Sequence, residues 1–557
     1  MPRLAARPFG ADVYPALFAD LTEAPGRVAR FFPLAPADPE AWRRRAEEAD
    51  LLWRGPEAAA RRQGLTAALQ AYHDRMGLHP AQAKSLAALA QPGALVVITG
   101  QQAGLLGGPL YTLFKALGAV VRAAEAGRAL GRPVVPMFWI ASDDHDWSEV
   151  SRADFPAPDG TPVHLRLPGS GDFRSAGHIP VPAEARRLVG QLLSLYPPSA
   201  AGEQVAADLL AGLTRPGKTT LADWFAWQLH RLLGVFGLLL FDPMQPALRA
   251  LAAPVFAGAA PRAAAAGRAV EEAGRALGAA GYAPGLDLEP DHVHLFCYVA
   301  GHRVALHAQD GRIRTKDGQV DWTPAELAAR ATSDPTAFSP NVSLRPVVQD
   351  FTLPVLCQLG GPGEIAYLAQ LGGVFALWDR PVPMVAPRPG ATLLAPEDGR
   401  FLAGAGVELR DLRRDAQATL DQAAAAQCPV DLDGLFAAER DSVATRYAAL
   451  GLALGAAAPT LSGVVGENAA RVGRQLDYLE RKAHQHLRRA QRVLISGLRG
   501  VAGRVFPAGG LQERGSIAYP YLLSRGAGLA EDIRAALAAA PGPFGRHWLL
   551  SEPGPDA

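Results

Sequence analysis

Four titratable residues, Asp143, Asp144, His145 and Asp146, stand in a row directly after a short apolar run. Three carboxylates around one imidazole can hold an ammonium group or a cation, and they favour the protonated form of the histidine. An imidazole with an ordinary pKa of about 6.5 also suits proton transfer near neutral pH. We therefore predict that these four residues are catalytic. The alternative is an acidic turn that only caps the following helix.

A glycine-rich segment, TGQQAGLLGGPLY, covers residues 99–111. Glycines let backbone amides approach a ligand closely, Pro109 suits the first position of a helix, and a helix N-terminus attracts anions. The segment predicts a site for a phosphate or a carboxylate, and the alternative is tight packing around a bare helix start. Lys115 lies four residues after Tyr111 on the same helix face, so it either joins this site or is solvated.

A third segment runs from FSPNVSLRPVVQD, which includes Asn341 and Arg345, through a strand to GGPGEIAY. Arg345 can clamp a carboxylate or a phosphate with two hydrogen bonds, and Glu364 falls in the first turn of the next helix. The glycine-rich segment and this segment each place a helix start that favours an anion at the same sheet. Together they predict two charged ligand groups. The alternative for Arg345 is a structural ion pair.

The apolar runs that precede these segments predict buried strands at 95–99, 134–140, 235–241 and 353–359. Strand, helix and strand follow one another within one βαβ unit, which favours an α/β fold with a doubly wound, Rossmann-like parallel sheet. In such a sheet, ligands bind outside the carboxyl ends of the strands. The three candidate segments should therefore border one crevice.

The remaining pattern predicts four regions. These are an N-terminal helical lead-in (1–93), a Rossmann-like catalytic core (94–395), an α-helical coiled-coil domain (396–505) and a C-terminal segment that returns to the core (506–557). The core contains two connecting insertions, at about 150–230 and 255–335. We expect a hairpin turn at Asp310-Gly311 and helices at 432–452 and 461–498. Apolar residues three or four apart, from Val472 to Leu494, form a coiled-coil seam. The seam predicts a homodimer, and the alternative is docking within the chain.

Composition excludes some classes of protein. The chain has 557 residues, 55 basic and 54 acidic side chains and a formal net charge of +1, so no global charge favours nucleic acid or an anionic membrane. No apolar stretch approaches the roughly 20 residues of a membrane span, and we expect a cytoplasmic protein. Cys297, Cys357 and Cys428 show no C-x-x-C spacing, so no metal site is predicted from them.

Four strings resemble the signature segments of the BshC family, in the same order and at similar spacing: TGQQAGLLGGPLYTLFKA, PMFWIASDDHDWSEV, FSPNVSLRPVVQDFTLPVLCQLGGPGEIAYLAQL and LQER. The resemblance implies a Rossmann-like core like that of class I aminoacyl-tRNA synthetases, with a coiled-coil domain that forms a homodimer. It also implies the last step of bacillithiol biosynthesis, in which a ligase joins the carboxyl group of cysteine to the glucosamine amine of glucosaminyl-malate.

On this resemblance, the 100–109 loop holds an activating phosphate or a substrate carboxylate, the acidic run holds the ammonium of cysteine, His145 is the base and Arg345 clamps malate. The substrate-binding residues that we predict are Thr99, Gly100, Gln101, Gln102, Gly104, Gly107, Gly108, Tyr111, Lys115, Trp139, Asn341, Arg345, Gln349, Asp350, Gly360, Gly361, Glu364 and Tyr367. A second nucleotide site is expected at Gln512 and Arg514.

An amide does not form from a carboxylate and an ammonium ion without activation, so ATP with Mg²⁺ is the expected cosubstrate, and no tightly bound cofactor is expected. Class I synthetases carry a His-Ile-Gly-His signature and a Lys-Met-Ser-Lys-Ser loop. Here the corresponding loop has Gln101-Gln102 without histidine, and no lysine lies in such a loop. The sequence therefore leaves the activating cosubstrate open.

Two other functions fit the same residues. A metal-dependent nucleotide-sugar or glycosyl transferase could use the 143–146 run to hold a divalent metal under a diphosphate. A dimeric scaffold built on the coiled coil would need no convergence of polar groups at the strand ends.

Overall fold

The computed structural model describes residues 4–10, 13–169, 171–215, 217, 219–426, 431–540, 542 and 544–552. The strands in this part of the chain are β1 Ala5–Gly10, β2 Leu95–Gln102, β3 Val134–Ala141, β4 Arg152–Pro156, β5 Pro162–Arg166, β6 Leu239–Phe241, β7 His292–Val299, β8 His302–Gln309, β9 Arg312–Arg314, β10 Asp321–Trp322, β11 Phe338–Pro340, β12 Val355–Gly360, β13 Met384–Pro387, β14 Gly390–Leu393 and β15 His547–Ser551.

Helices connect and cover these strands. They are α1 Ala16–Glu23, α2 Pro25–Val28, α3 Pro39–Leu52, α4 Pro56–Asp74, α5 Pro80–Leu89, α6 Tyr111–Leu130, α7 Trp147–Val150, α8 Glu184–Leu195, α9 Glu203–Gly212, α10 Leu221–Leu233, α11 Pro246–Ala250, α12 Ala253–Ala257, α13 Ala259–Ala279, α14 Pro324–Ser333, α15 Arg345–Thr352, α16 Pro362–Leu368, α17 Gly372–Ala376, α18 Pro396–Ala405, α19 Leu409–Arg414, α20 Ala416–Ala426, α21 Leu432–Ala457, α22 Ser462–Val505, α23 Gln512–Gly515, α24 Tyr519–Arg525 and α25 Gly528–Ala539.

The central sheet has the order β13-β12-β2-β3-β6, and each pair of neighbouring strands is parallel. Strands β2 and β3 stay in register from the Leu95–Val134 pair to the Gln102–Ala141 pair. The order runs outward from β2 in both directions, which confirms the predicted doubly wound, Rossmann-like sheet. The carboxyl ends of the strands therefore meet along one edge.

Both faces of this sheet are buried, as a parallel sheet requires. Val97 and Phe138 belong to an apolar core that includes residues of α6, whereas Val96 and Met137 belong to a second core with residues of α5 and α13. Successive residues of a strand point to opposite faces, so a continuous run of apolar residues fills both cores.

Two local predictions were wrong. The predicted strand at 235–241 begins only at Leu239, because Gly234–Phe236 is a 3-10 helix, Gly237 turns the chain with a φ of 74°, and Val235 is 53% exposed. The predicted helix start at Pro109 also fails, since α6 begins at Tyr111. Pro109 instead forms a β-bridge with Ile517, and the amide of Leu110 donates to the carbonyl of Ser516 over 2.7 Å.

The residues between β6 and β12 contain an antiparallel sheet of order β10-β9-β8-β7-β11. Strands β8 and β9 form the predicted hairpin, and Asp310 and Gly311 both have positive φ in its turn (51° and 72°). The residues between β3 and β6 contain the β4–β5 hairpin and helices α8 to α10. A third sheet has the order β1-β15-β14. Its strand at Ala5–Gly10 lies in the N-terminal region, for which the sequence indicated helices.

The chain divides into two compact units. One comprises residues 1–158, 162–394 and 510–557, and the other residues 159–161 and 395–509. In the second unit α21 and α22 pack along each other, with Arg440 Nη1 2.7 Å from Glu480 Oε2, and give the expected long coiled-coil helices. Among the described residues, no helix combines the length and the apolar character that a membrane crossing needs.

Candidate active site

The carboxyl ends of β2, β3 and β12 border a cleft with a volume of about 640 Å³. The predicted site residues that line it are Gly100, Gln101, Gln102, Tyr111, Lys115, Trp139, Asp143, Asp144, Asn341, Arg345, Gly361, Glu364, Tyr367 and Arg514. The three segments that the sequence analysis selected therefore converge on one cavity.

Lys115 lies at the base of the cleft and is not a solvated residue. Its ammonium is 2% exposed, 2.5 Å from Glu364 Oε2, and donates to Gln101 Oε1 over 3.1 Å. Burial lowers the pKa of Lys115, and Glu364 opposes that shift. Glu364 also accepts a hydrogen bond from the amide of Gly361 over 2.8 Å, which ties the lysine to the start of α16.

Arg345, at the start of α15, faces the cleft with neutral partners. Its Nη1 donates to Gln349 Oε1 over 3.1 Å and its Nη2 donates to the hydroxyl of Tyr367. Arg514 lies with its guanidinium carbon 6.0 Å from the ring centre of Tyr111. Among the described residues, no carboxylate oxygen comes within 4 Å of either guanidinium, so both charges are available to an anion.

Two members of the acidic run, Asp143 and Asp144, also line the cleft. Asp144 accepts hydrogen bonds from Gln102 Nε2 (3.0 Å) and from the amide of His145 (2.7 Å). Asp143 is buried beside Arg249, whose Nη2 is 3.5 Å from Asp143 Oδ2. Asp146 caps α7 through the amide of Glu149, so the helix-capping alternative holds for this member of the run.

His145, the predicted general base, forms a hydrogen bond through its imidazole ring in this structure. Its Nδ1 lies 3.0 Å from Arg303 Nη1, and because a guanidinium can only donate, Nδ1 accepts and the proton of the neutral ring is on Nε2. Burial and then Arg303 lower the pKa of His145, against the opposing effect of Asp144, so the expected preference for the protonated form was wrong. His145 and Asp146 line a depression next to the cleft, with Asp144 shared between the two.

Two glycines of the loop already use their backbone amides in hydrogen bonds within the protein. Gly104 donates to the carbonyl of Gln102 (2.8 Å) and Gly108 to that of Leu105 (3.1 Å). Gly108 has a φ of 69°, and a Cβ on Gly104 would lie 2.9 Å from its Cα, so these glycines serve the tight turn. The amides of Gly104 and Gly108 are therefore not available for the predicted anion cradle. Gly104 lines a small cavity of about 50 Å³ beside the cleft.

Several predicted residues lie outside the lining of the cleft. Asp350 is buried between Arg45 and Arg380, with ion-pair distances of 2.5 Å to each. Gln349 Nε2 donates to Gln358 Oε1 over 3.1 Å. Gln512 Oε1 accepts from the amide of Leu393, and Gln512 Nε2 donates to the carbonyl of Leu393. The remaining residues of this group pack inside the loop or the sheet: Thr99, Gly107, Gly108 and Gly360. The second nucleotide site predicted at Gln512 and Arg514 is therefore divided, since Arg514 belongs to the main cleft.

Asn341 lines the cleft, but its side-chain oxygen accepts hydrogen bonds from the loop that precedes α15. Its Oδ1 accepts from the amides of Ser343 and Leu344 (both 3.0 Å) and from the hydroxyl of Ser343. This turn fixes the position from which Arg345 begins its helix. Asn341 is thus a positioning residue for the cleft.

The sequence analysis missed other lining residues, which are Glu149, Asp287, Glu289, His292, Phe296, Arg303 and Arg388. Arg388 follows β13, so the rule that ligands bind at strand ends could have found it. Arg303 and His292 lie on β8 and β7, outside the central sheet, and no pattern in the sequence indicates that they reach this cleft.

Two clusters in the described part of the chain have ligand atoms close enough together to hold a metal ion, and the 143–146 run belongs to neither. One is Glu289, Asp291 and His307, and the other is Asp433, Glu480 and His484. In the first, Lys316 Nζ is 2.7 Å from Glu289 and His307 Nδ1 is 3.0 Å from Asp291, so both carboxylates already have a partner within the protein. Cys297 and Cys357 are buried free thiols, and Cys428 lies outside the described residues.

Comparison with known proteins agrees with this architecture. Residues 9–389 match the family described as bacillithiol biosynthesis BshC, N-terminal Rossmann-like domain, and residues 391–548 match its C-terminal coiled-coil domain. Relatives named "Putative cysteine ligase BshC" include one from Symbiobacterium thermophilum, 34% identical over 90% of this chain and 92% of the relative. Another, from Solibacter usitatus, is 32% identical over 93% of this chain and 94% of the relative.

Proposed function

The chain belongs to the BshC family, and on that premise we propose that it is the cysteine ligase that completes bacillithiol, joining the carboxyl group of cysteine to the glucosamine amine of glucosaminyl-malate. The observation that carries the proposal is the charge pattern of the cleft. Arg345 and Arg514, which have no carboxylate partner among the described residues, line the same cleft as the carboxylates of Asp143 and Asp144.

This pattern suits the two substrates. The malate part of glucosaminyl-malate carries two carboxylates, which Arg345 and Arg514 would hold by charge-assisted hydrogen bonds. The ammonium group of cysteine would lie against the carboxylates of Asp143 and Asp144. Holding both substrates in one cleft replaces a bimolecular encounter with a positioned reaction.

The amine of glucosaminyl-malate must lose a proton before it attacks, and Glu149 is the base that we propose. Glu149 lines the cleft, and its pKa is raised by burial and by the nearby carboxylates of Asp146 and Asp144. A carboxylate with a raised pKa accepts a proton more readily near neutral pH. This role replaces the one that the sequence analysis gave to His145.

The carboxyl group of cysteine also needs activation, and we propose ATP with Mg²⁺ as the cosubstrate. One oxygen of the carboxylate would leave with a phosphate group, and the nitrogen of the sugar amine would take its place on the carbon. An acyl phosphate would release ADP and phosphate, whereas an adenylate would release pyrophosphate and then AMP. In either case side chains of the cleft would contribute to holding the phosphates, since the amides of Gly104 and Gly108 already donate within the loop.

The test is an incubation of the purified full-length protein with cysteine and glucosaminyl-malate, with and without ATP and Mg²⁺. Mass analysis would measure bacillithiol together with AMP and ADP. Bacillithiol that forms only with ATP supports the proposal, and the nucleotide product identifies the intermediate. Failure to form bacillithiol under every condition would contradict the ligase assignment, while formation without ATP would contradict the cosubstrate.

We also propose that the helical unit joins two copies of the chain. Large apolar side chains remain exposed on α21 and α22, including Leu452 (80%), Val464 (55%) and Leu479 (55%). Burial of such side chains against a second copy would be favourable.

A further inference from the structure

Arg303 is a buried cation without a carboxylate partner. It is 8% exposed, and its guanidinium packs 3.9 Å from the ring centre of Phe296. Its three hydrogen bonds go to neutral acceptors: Ser339 Oγ (2.8 Å), the carbonyl of Pro340 (2.8 Å) and His145 Nδ1 (3.0 Å). Among the described residues, no carboxylate oxygen lies within 4 Å of its guanidinium. Burying an uncompensated charge is costly, so the position favours an anion that arrives from the cleft.

Asp143 carries the opposite charge in the same cleft. It is 4% exposed, and its Oδ2 has no hydrogen-bond partner among the described residues, with Arg249 Nη2 3.5 Å away as its nearest cation. Arg249 is itself fixed by the carbonyls of Pro243 and Phe338. Arg249 thus lies beside the carboxylate of Asp143, while Asp143 itself lines the cleft.

One short strand fixes both charges. In β11, Phe338 anchors the arginine behind Asp143, and the next two residues, Ser339 and Pro340, anchor Arg303. Asp143 also stands two residues before His145, whose Nδ1 lies 3.0 Å from Arg303 Nη1, and both charged residues line the cleft. An acceptor for a cation, through Arg249, and a donor for an anion are therefore both anchored on one short strand.

We propose that Asp143 and Arg303 form a subsite for the charged head of a free α-amino acid, with the ammonium at Asp143 and the carboxylate at Arg303. The two charged groups of such a ligand are attached to one carbon, which suits this pair. The identity of the amino acid rests on the proposed function, in which it is cysteine. Arg303 then holds the carboxyl group that reacts, and His145, through Nδ1, is a positioning residue for Arg303.

The test compares three thiols that differ only in their charged groups: cysteine, cysteamine, which lacks the carboxylate, and 3-mercaptopropionate, which lacks the ammonium. Their affinities for the full-length protein would be measured by calorimetry. We expect the wild-type protein to bind cysteine about 10- to 100-fold more tightly than either analogue, as the loss of one charged hydrogen bond predicts.

The wild-type protein should prefer cysteine over cysteamine and over 3-mercaptopropionate. Each variant should lose one of these two preferences and keep the other. Arg303→Gln should bind cysteine and cysteamine alike, and Asp143→Asn should bind cysteine and 3-mercaptopropionate alike. Arg312→Ala is the matched control. Arg312 lies in the same antiparallel sheet as Arg303, but it pairs with Asp321 and lies outside the cleft. It should keep both preferences. If Arg303→Gln does not fold, Arg303→Lys should retain part of the preference over cysteamine.

Each comparison is a ratio within one protein, so partial unfolding does not imitate the result. An Arg303→Gln protein that still prefers cysteine over cysteamine would overturn the subsite, and so would a wild-type protein that binds all three thiols equally or none of them. The ligase assignment is judged separately by the formation of bacillithiol. Product without the expected ratios would overturn only the subsite, and the expected ratios without product would overturn only the ligase assignment.

Discussion

Arg388 and Glu513 form a two-pronged ion pair behind the cleft, although 125 positions separate them in the sequence. The two hydrogen bonds measure 2.6 and 3.0 Å, and the side chains are 2% and 0% exposed. Burial raises the pKa of Glu513, but Arg388 outweighs it and the pKa is lowered overall. Glu513 also accepts from Tyr14 (3.2 Å), so the arginine that borders the cleft is held in place.

Replacing Glu513 with Gln should destabilise the protein by about 3–5 kcal/mol, because it leaves Arg388 as a buried charge without its partner. Thermal and denaturant unfolding would measure the loss. The double variant Arg388→Met with Glu513→Leu should recover much of it, since no unpaired charge remains. A Glu513→Gln protein as stable as the wild type would show that the pair contributes little.

Arg345→Ala should weaken the binding of glucosaminyl-malate by about 10- to 100-fold, because a charge-assisted hydrogen bond to a carboxylate is lost. Affinity for cysteine should stay the same, since in our proposal Arg345 holds the malate part of the other substrate and Asp143 holds cysteine. Calorimetry with each substrate would measure both. Unchanged affinity for glucosaminyl-malate would remove Arg345 from the substrate site.

Asp350→Asn should reduce stability by about 3–5 kcal/mol without changing the affinity for either substrate. The aspartate is 1% exposed and pairs with two buried arginines, Arg45 and Arg380, which would lose their counter-charge. Asp310→Asn is a suitable control, because its side chain is 93% exposed in a turn and asparagine tolerates a positive φ there. Weaker substrate binding by a folded Asp350→Asn protein would restore Asp350 as a ligand.

The stability of the protein should fall as the pH drops from about 6.5 towards 4, in part through His292. Burial, with His294 and His307, lowers the pKa of His292 to about 4. Between these pH values the unfolded chain binds a proton that the folded protein does not, so unfolding is favoured, and above pH 6.5 the effect vanishes. His292→Gln should therefore lose less thermal stability than the wild type between pH 7.5 and pH 5. An equivalent change at the exposed His486 should leave the pH dependence as it is.

Leu479→Glu should dissociate the proposed homodimer, because it places a charge on an exposed apolar side chain of α22. Sedimentation velocity at several protein concentrations would measure the oligomeric state. Arg492→Glu, on an exposed polar position of the same helix, serves as the control. A wild-type protein that sediments as a monomer throughout would contradict the proposal.

Local patterns in the sequence determined most of the central architecture. The apolar runs at β2, β3 and β12 predict the parallel sheet, and the polar segments after them predict the edge at which the cleft opens. These predictions succeeded because a buried strand and the loop that follows it are specified by residues close together in the chain. The hairpin at Asp310-Gly311 succeeded for the same reason.

Only the tertiary structure decided which polar residues face the cleft and which pair inside the protein. Asp350 and Lys115 both stand in or near candidate segments, yet the first pairs with Arg45, 305 positions away, and the second lines the cleft beside Glu364, 249 positions away. The same is true of His145, whose pKa is lowered by burial and then by Arg303, which a strand outside the central sheet brings to its side. The charge partner of a buried group is set by contacts between distant parts of the chain, and no spacing along the sequence contains that information.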